Sequence, residues 1–259
     1  MVGKMVPPPT LLLLLGGPGL DHATYKLGMH LMRAVAQVVM YDYRGQGRSD
    51  RRTPDERNLD TWADDVVRLC GALEIEKPIV LGNSFGGFVA QRYLGRHPER
   101  PRKVVLSSTV ARWDLEAVLD QFERLGGAEA RGIAAAFWAE PNPVNREAYL
   151  RACGPLCTQT PGNLFESVEL VRNNDLFAHL NTNEHPTFDL RDDLARAQCS
   201  VLVLGGEHDP VCPIVGSEEI AAHLPAEHVQ FERFAQSGHG VFRDEADRAN
   251  AVLREFVTT

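Results

Sequence analysis

PIVLGNSFGGFVAQRYLGRHP, residues 78–98, changes its period halfway. The first part, through Leu81, is a short apolar run of strand type; from Phe85 onward the apolar residues recur at helical spacing. Between them lies GNSFGG, Gly82 to Gly87. A buried strand thus ends in a glycine-flanked turn and enters a helix directly. Small residues on both sides of Ser84 permit a tight, strained turn that lifts the hydroxyl above a sheet. The same turn leaves the backbone N–H of Phe85 at a helix start, where it can donate to a developing oxyanion. A bare Gly-x-Ser-x-Gly is weak, since such turns also bind phosphate or simply pack. Its strand–turn–helix setting gives it chemical meaning.

A serine hydroxyl is a poor nucleophile at neutral pH and needs a histidine base and an acid that orients the histidine. Asp209 directly follows the apolar run SVLVLGGEH, and His239 stands in QSGHG just after VQFERF. Each sits after its own strand, in the order Ser84, Asp209, His239. Singly, a histidine in a glycine-rich loop or an aspartate before proline reads as a turn residue. Together they point to a catalytic triad. Asp114 is the alternative acid, although ARWDLEAV reads more simply as a helix start. Among the other histidines, His208 and His97 are weaker candidates, and His22, just after a glycine turn, is a candidate substrate contact.

Outward from this centre, strand-like and helix-like stretches alternate. Residues 10–15, 35–43, 78–84, 103–109, 200–209 and 229–234 read as strands; 22–34, 59–75, 85–98, 214–224 and 244–257 read as helices. The alternation predicts an α/β fold, a mostly parallel sheet of about six strands with helices on both faces. Ligands bind beyond the carboxyl ends of such strands. The interval from about Val110 to Arg196 shows no clear strand but has helical periodicity in DLEAVLDQFERLGG and FESVELVRNN. It predicts a helical cap, residues 111–196, inserted into a core formed by 1–110 and 197–259. No internal repeat or long low-complexity tract interrupts the chain.

The 259 residues suffice for one sizeable core without staples. A formal charge of -8, from 27 basic against 35 acidic residues, leaves no basic footprint for nucleic acid or an anionic membrane. TLLLLLGGPG, residues 10–19, is too short for the roughly 20 apolar residues of a membrane span. Its five leucines after PPPT also fall short of the roughly 7 to 15 apolar residues of a signal peptide. It reads instead as a buried strand. Five scattered cysteines suggest reduced thiols and a cytoplasmic setting. Cys153 and Cys157 lie close together in CGPLC but have no partner pair at zinc spacing, so no metal is expected.

LGGPG, YDYRGQGRSD, GNSFGG, GGEHDPVCP and SGHG together resemble the α/β-hydrolase superfamily over nearly the whole chain, and GGPG and GEHDPVCP resemble its prolyl iminopeptidase branch. The resemblance implies a serine hydrolase that needs no cofactor. It also implies an oxyanion hole formed by the backbone N–H groups of Gly17 and Phe85, with Gly16 beside the substrate. Asp42 and Arg44 are then buried organisers of the 41–50 turn. Two departures stand out. Leu15 occupies the place of a family histidine that braces the oxyanion loop, so packing must hold that loop instead. Only nine residues precede Thr10, too few for the family's first hairpin. Strand 35–43 therefore becomes an edge, and a homodimer through that edge is expected.

The substrate expectation is a small molecule or short peptide. Cap aromatics, among them Trp113, Phe137 and Trp138, should line its site, although most cap aromatics should be core. An aminopeptidase also needs a carboxylate for the α-ammonium group, with Glu140, Glu166, Glu169, Glu184 and Glu207 as candidates. Esterases, lactonases and carbon–carbon bond hydrolases share the same triad. Dehalogenases and epoxide hydrolases need a carboxylate where Ser84 stands. The non-enzymatic alternative is a ligand receptor or scaffold on the hydrolase fold.

Overall fold

A computed structural model describes residues 8–25, 29–161 and 169–259. Six strands form one parallel sheet: β1 (Thr10–Leu14), β2 (Gln37–Met40), β3 (Ile79–Asn83), β4 (Lys103–Ser107), β5 (Ser200–Gly206) and β6 (Val229–Phe234). Their order across the sheet is β2-β1-β3-β4-β5-β6. The chain steps from β1 outward to β2, then returns to place β3 on the other side of β1. That reversal opens a crevice beyond the carboxyl ends of β1 and β3.

Apolar residues cover both faces of the sheet, as parallel strands require. Leu12 and Leu14 point to one side, packing with α1 (Leu59–Ala72) and α2 (Phe85–Arg96) through Trp62, Val66 and Val89. Leu11, Leu13 and Leu15 point to the other, with Met29, Met32 and α9 (Ala246–Thr258) through Leu253 and Val257. The leucine run is therefore a central strand buried on both sides. Leu15 sits in that second cluster, so apolar packing occupies its place beside the glycine turn.

Between β4 and β5 run α3 (Leu115–Ala139), α4 (Pro143–Ala152), α5 (Asn174–Asn183) and the short α6 (Arg191–Leu194). A separate apolar cluster, including Phe122, Ala134, Phe137 and Tyr149, holds α3 and α4 together. Leu190 and Leu194 instead join the cluster on the sheet. After β5 come α7 (Ile214–His223) and, beyond β6, the short α8 (Val241–Asp244) before α9.

Several helical expectations are corrected. Residues 22–34 do not form one helix: they give 3₁₀ turns at His22–Tyr25 and His30–Ala34, with 26–28 outside the described residues. Local side chains win here, because the Asp21 carboxylate accepts from the Ala23 N–H and Asp42 from the His22 N–H. In FESVELVRNN, residues 169–173 are not helical and α5 starts only at Asn174; 165–168 lie outside the described residues. The helix expected over 244–257 is present as α9, which starts at Ala246, with the short α8 just before it. α3 continues well past GG but bends at Gly127, whose φ of 75° only glycine adopts without strain.

Candidate active site

The turn at Ser84 is built by close approach. Ser84 has φ 52° and ψ −122°, a conformation L-residues rarely adopt, directly between β3 and α2. A Cβ on Gly86 would overlap the Leu14 carbonyl, and one on Gly82 would meet the Gly86 carbonyl oxygen at 2.5 Å. The start of α2 thus lies against the end of β1, and only glycine fits. The Ser84 N–H donates to the Ser107 carbonyl at 2.9 Å, while the Thr109 hydroxyl donates to the Ser84 carbonyl at 2.9 Å. Backbone and side chain together fix the strained residue.

Ser84 Oγ lies 2.9 Å from His239 Nε2. On the far side of the ring, Nδ1–H donates to both Asp209 oxygens, at 2.9 and 3.0 Å. Asp209 is fully buried and also accepts from the Val211 and Cys212 N–H groups, each at 2.8 Å. These bonds keep it pointed at the imidazole. Burial pushes the His239 pKa down, but the charge and hydrogen bond of Asp209 outweigh that and leave it above the ordinary 6.5. The three residues chosen from the sequence therefore meet in a single hydrogen-bonded chain.

The glycine turn after β1 faces this chain across the crevice. Gly17, at φ 68°, accepts from the Leu20 N–H at 2.9 Å, and Gly16 and Gly17 both line the cavity over Ser84. As the first residue of α2, Phe85 has an N–H with no intrahelical acceptor. Two braces for the turn escaped the sequence reading. The buried Gln46 accepts from the Gly19 N–H at 3.0 Å, and the Asn173 N–H donates to the Gly19 carbonyl at 2.7 Å. Asn173 also donates its side-chain amide to the Gly45 carbonyl at 2.6 Å. A glutamine flanked by glycines in RGQGR was the only available hint.

A cavity of about 1320 Å³ opens above Ser84. Trp113, Phe137 and Trp138 line it together with Tyr149 and Phe177 from α4 and α5. Phe137 stacks on both Tyr149 and Phe177, and Trp113 stacks on His185 with ring centroids 4.8 Å apart. Burial pushes the His185 pKa down to about 4, so its ring is neutral. His22 is not part of the described wall; Asp42 holds both its N–H and its ring. Asp42 is a buried organiser, accepting also from the Arg48 N–H. Arg44 is half-buried, paired with Asp65 and Glu56.

Asp114 caps α3 by accepting from the Ala117 N–H, and His97 pairs with Asp64. Of the candidate ammonium-binding acids, Glu140, Glu169, Glu184 and Glu207 do not line the cavity, and Glu166 lies outside the described residues.

Asp209, Cys212 and His239 offer three metal-ligand atoms within 4.8 Å of one another. Burial, followed by the charge of Asp209, pushes the Cys212 thiol well up. Burial likewise pushes Cys153 up to about 11 and Cys157 up to about 12. All five cysteines are free.

The family model for the alpha/beta hydrolase fold matches residues 9–246. A proline iminopeptidase of Levilactobacillus brevis is 31% identical, covering 99% of this chain and 91% of its own. A candidate carbamate hydrolase, RutD, of Caulobacter sp. (strain K31) is 29% identical, covering 94% and 93%. Among solved structures, an esterase from Exiguobacterium antarcticum superposes with a TM-score of 0.74 at 20% identity, covering 98% and 93%. These similar proteins are named for three different bonds.

Proposed function

The chain belongs to the alpha/beta hydrolase fold family, and from that premise we propose that it is a serine hydrolase cleaving an ester or amide bond of a small substrate through an acyl-enzyme. The observation that carries this reading is the continuous hydrogen-bonded chain from Ser84 through His239 to Asp209. In the proposed cycle Ser84 Oγ attacks the carbonyl carbon while His239 Nε2 takes its proton. The carbonyl electron pair moves onto oxygen, where the N–H groups of Gly17 and Phe85 receive it; such donors contribute about 3 kcal/mol each. Collapse expels the leaving group, protonated by His239. Water, deprotonated by the same imidazole, then releases the acid and restores Ser84. Asp209 keeps the required tautomer throughout. No step draws on a cofactor or metal.

Residues 111–196 act in this reading as a cap whose aromatics set specificity. The iminopeptidase resemblance requires a carboxylate for the α-ammonium group, and the described cavity wall supplies none. On the described wall alone, with Glu166 outside it, esters, lactones and carbon–carbon bonds beside a carbonyl are favoured over N-terminal peptides. Five free thiols fit a reducing cytoplasm, and no described helix is long and apolar enough to cross a membrane.

A fluorophosphonate probe and p-nitrophenyl acetate test the chemistry. Covalent labelling at Ser84 and a burst of nitrophenolate are expected; absence of both would support the receptor or scaffold alternative. Proline, alanine and leucine anilides run beside short acyl esters test the substrate class. Turnover of esters alone is the expected result.

A further inference from the structure

The chain is acidic overall, yet the described wall of its cavity contains no aspartate or glutamate and three arginines, Arg146, Arg172 and Arg243. Asp209 is sealed behind His239 and forms no part of that wall. Elsewhere in the molecule arginines are paired with carboxylates, as in Arg92–Asp193, Arg112–Glu219 and Arg248–Glu232. Among the described residues, Arg146 and Arg172 have no such partner.

Arg146, on α4, gives one guanidinium N–H to the side-chain oxygen of Asn174. Burial and then the positive charge of Arg172 push its pKa down; both guanidinium groups line the one pocket, with no carboxylate partner among the described residues. Arg172 is carried on the segment anchored to the glycine turn, through the Asn173 N–H bond to the Gly19 carbonyl. Arg146 is half-buried and Arg172 exposed, so the two form a solvated cationic rim on an apolar cavity, where an anionic ligand group would gain charge-assisted hydrogen bonds. The planar fork of guanidinium matches a carboxylate.

Building on the serine hydrolase reading, we propose that the cavity selects substrates bearing a carboxylate at the end of an aliphatic or aromatic body remote from the scissile carbonyl, and that Arg146 and Arg172 bind that carboxylate. The aromatic wall of Trp113, Phe137 and Trp138 then encloses the body between the carboxylate and Ser84.

The test compares the p-nitrophenyl monoester of glutaric acid with p-nitrophenyl valerate, acyl groups of similar length that differ in the terminal carboxylate. Expected is a kcat/KM about tenfold or more higher for the glutarate ester at low salt, shrinking as ionic strength rises. In Arg146→Gln and Arg172→Gln the ratio should fall toward one. A chemistry-independent arm uses Ser84→Ala protein and the fluorescence of Trp113 and Trp138, titrated with 4-phenylbutyrate, 4-phenylbutyramide and 4-phenylbutylamine. The carboxylate should bind about tenfold more tightly than the amide, and the double variants with Arg146→Gln or Arg172→Gln should lose that advantage. Equal binding of acid and amide, or tighter binding of the amine, overturns the proposal. Selective carboxylate binding without turnover of either ester or probe labelling would instead overturn the serine hydrolase reading and leave the anion site standing.

Discussion

Ser84 holds a backbone conformation that costs on the order of 1–3 kcal/mol, and its neighbours keep it there by contact with β1 and β4. Gly86→Ala would drive a methyl into the Leu14 carbonyl and should destabilise the fold by about 1–3 kcal/mol, read by urea denaturation. Asp209→Asn should lower kcat about 10⁴-fold, because the imidazole loses its required tautomer. The pH profile tests the same link. Only neutral His239 can accept the serine proton, so kcat/KM should rise with pH through an apparent pKa above 6.5 and then level off. A limb at or below 6.5 would contradict the raised His239. The hydrogen-bonded set Ser84, His239 and Asp209 was legible because each residue follows its own strand. Gln46 and Asn173 were not: their bonds to Gly19 and Gly45 span 27 and 128 residues, and local spacing carries no trace of either.

At the level of elements, one carboxylate on α8 ties the segment after α4 to the loop that carries His239. Asp244 accepts from the Thr158 hydroxyl and from the N–H groups of Gln159, Thr160 and Gly238. Beside it the His239 N–H donates to the Cys157 carbonyl at 2.9 Å. Burial raises the Asp244 pKa, but these hydrogen bonds outweigh that and leave it below its ordinary value. Its stabilisation is therefore complete above the unfolded carboxylate pKa of about 3.9 and lost as pH falls through the depressed folded value. Asp244→Asn should cost about 1–2 kcal/mol, measured as a lower Tm, and should flatten stability over that acid range. It should also reduce kcat more than it raises KM, since the histidine loop loosens. Strand positions were readable from apolar runs bounded by turn residues. Helices failed where side chains compete for the backbone, as at Asp21, whereas the helix read before Gly127 is present and continues beyond it with a bend.

For the molecule as a whole, the sheet is insulated by apolar layers on both faces, so a cavity in either should be felt globally. Leu12→Ala should cost about 2–5 kcal/mol, seen as an earlier denaturant midpoint. The edge at β2 is four residues long and is the proposed homodimer contact; scattering across a concentration series should show the mass doubling, and a constant monomer mass would remove it. The parallel α/β architecture followed from period alone, whereas which cap residues face the cavity depends on how α3, α4 and α5 pack. The proposed cap reaches both halves of the candidate site: Asn173 meets the turn after β1, while Cys157 and Thr158 meet the His239 loop and α8. Replacing this roof is therefore not a modular exchange. A transplanted cap could bring new specificity, yet unless it reproduced these two anchor points it would also detune the machinery beneath. Divergence toward new substrates should accordingly proceed by side-chain substitution within α3 to α5 more readily than by wholesale exchange of the insertion.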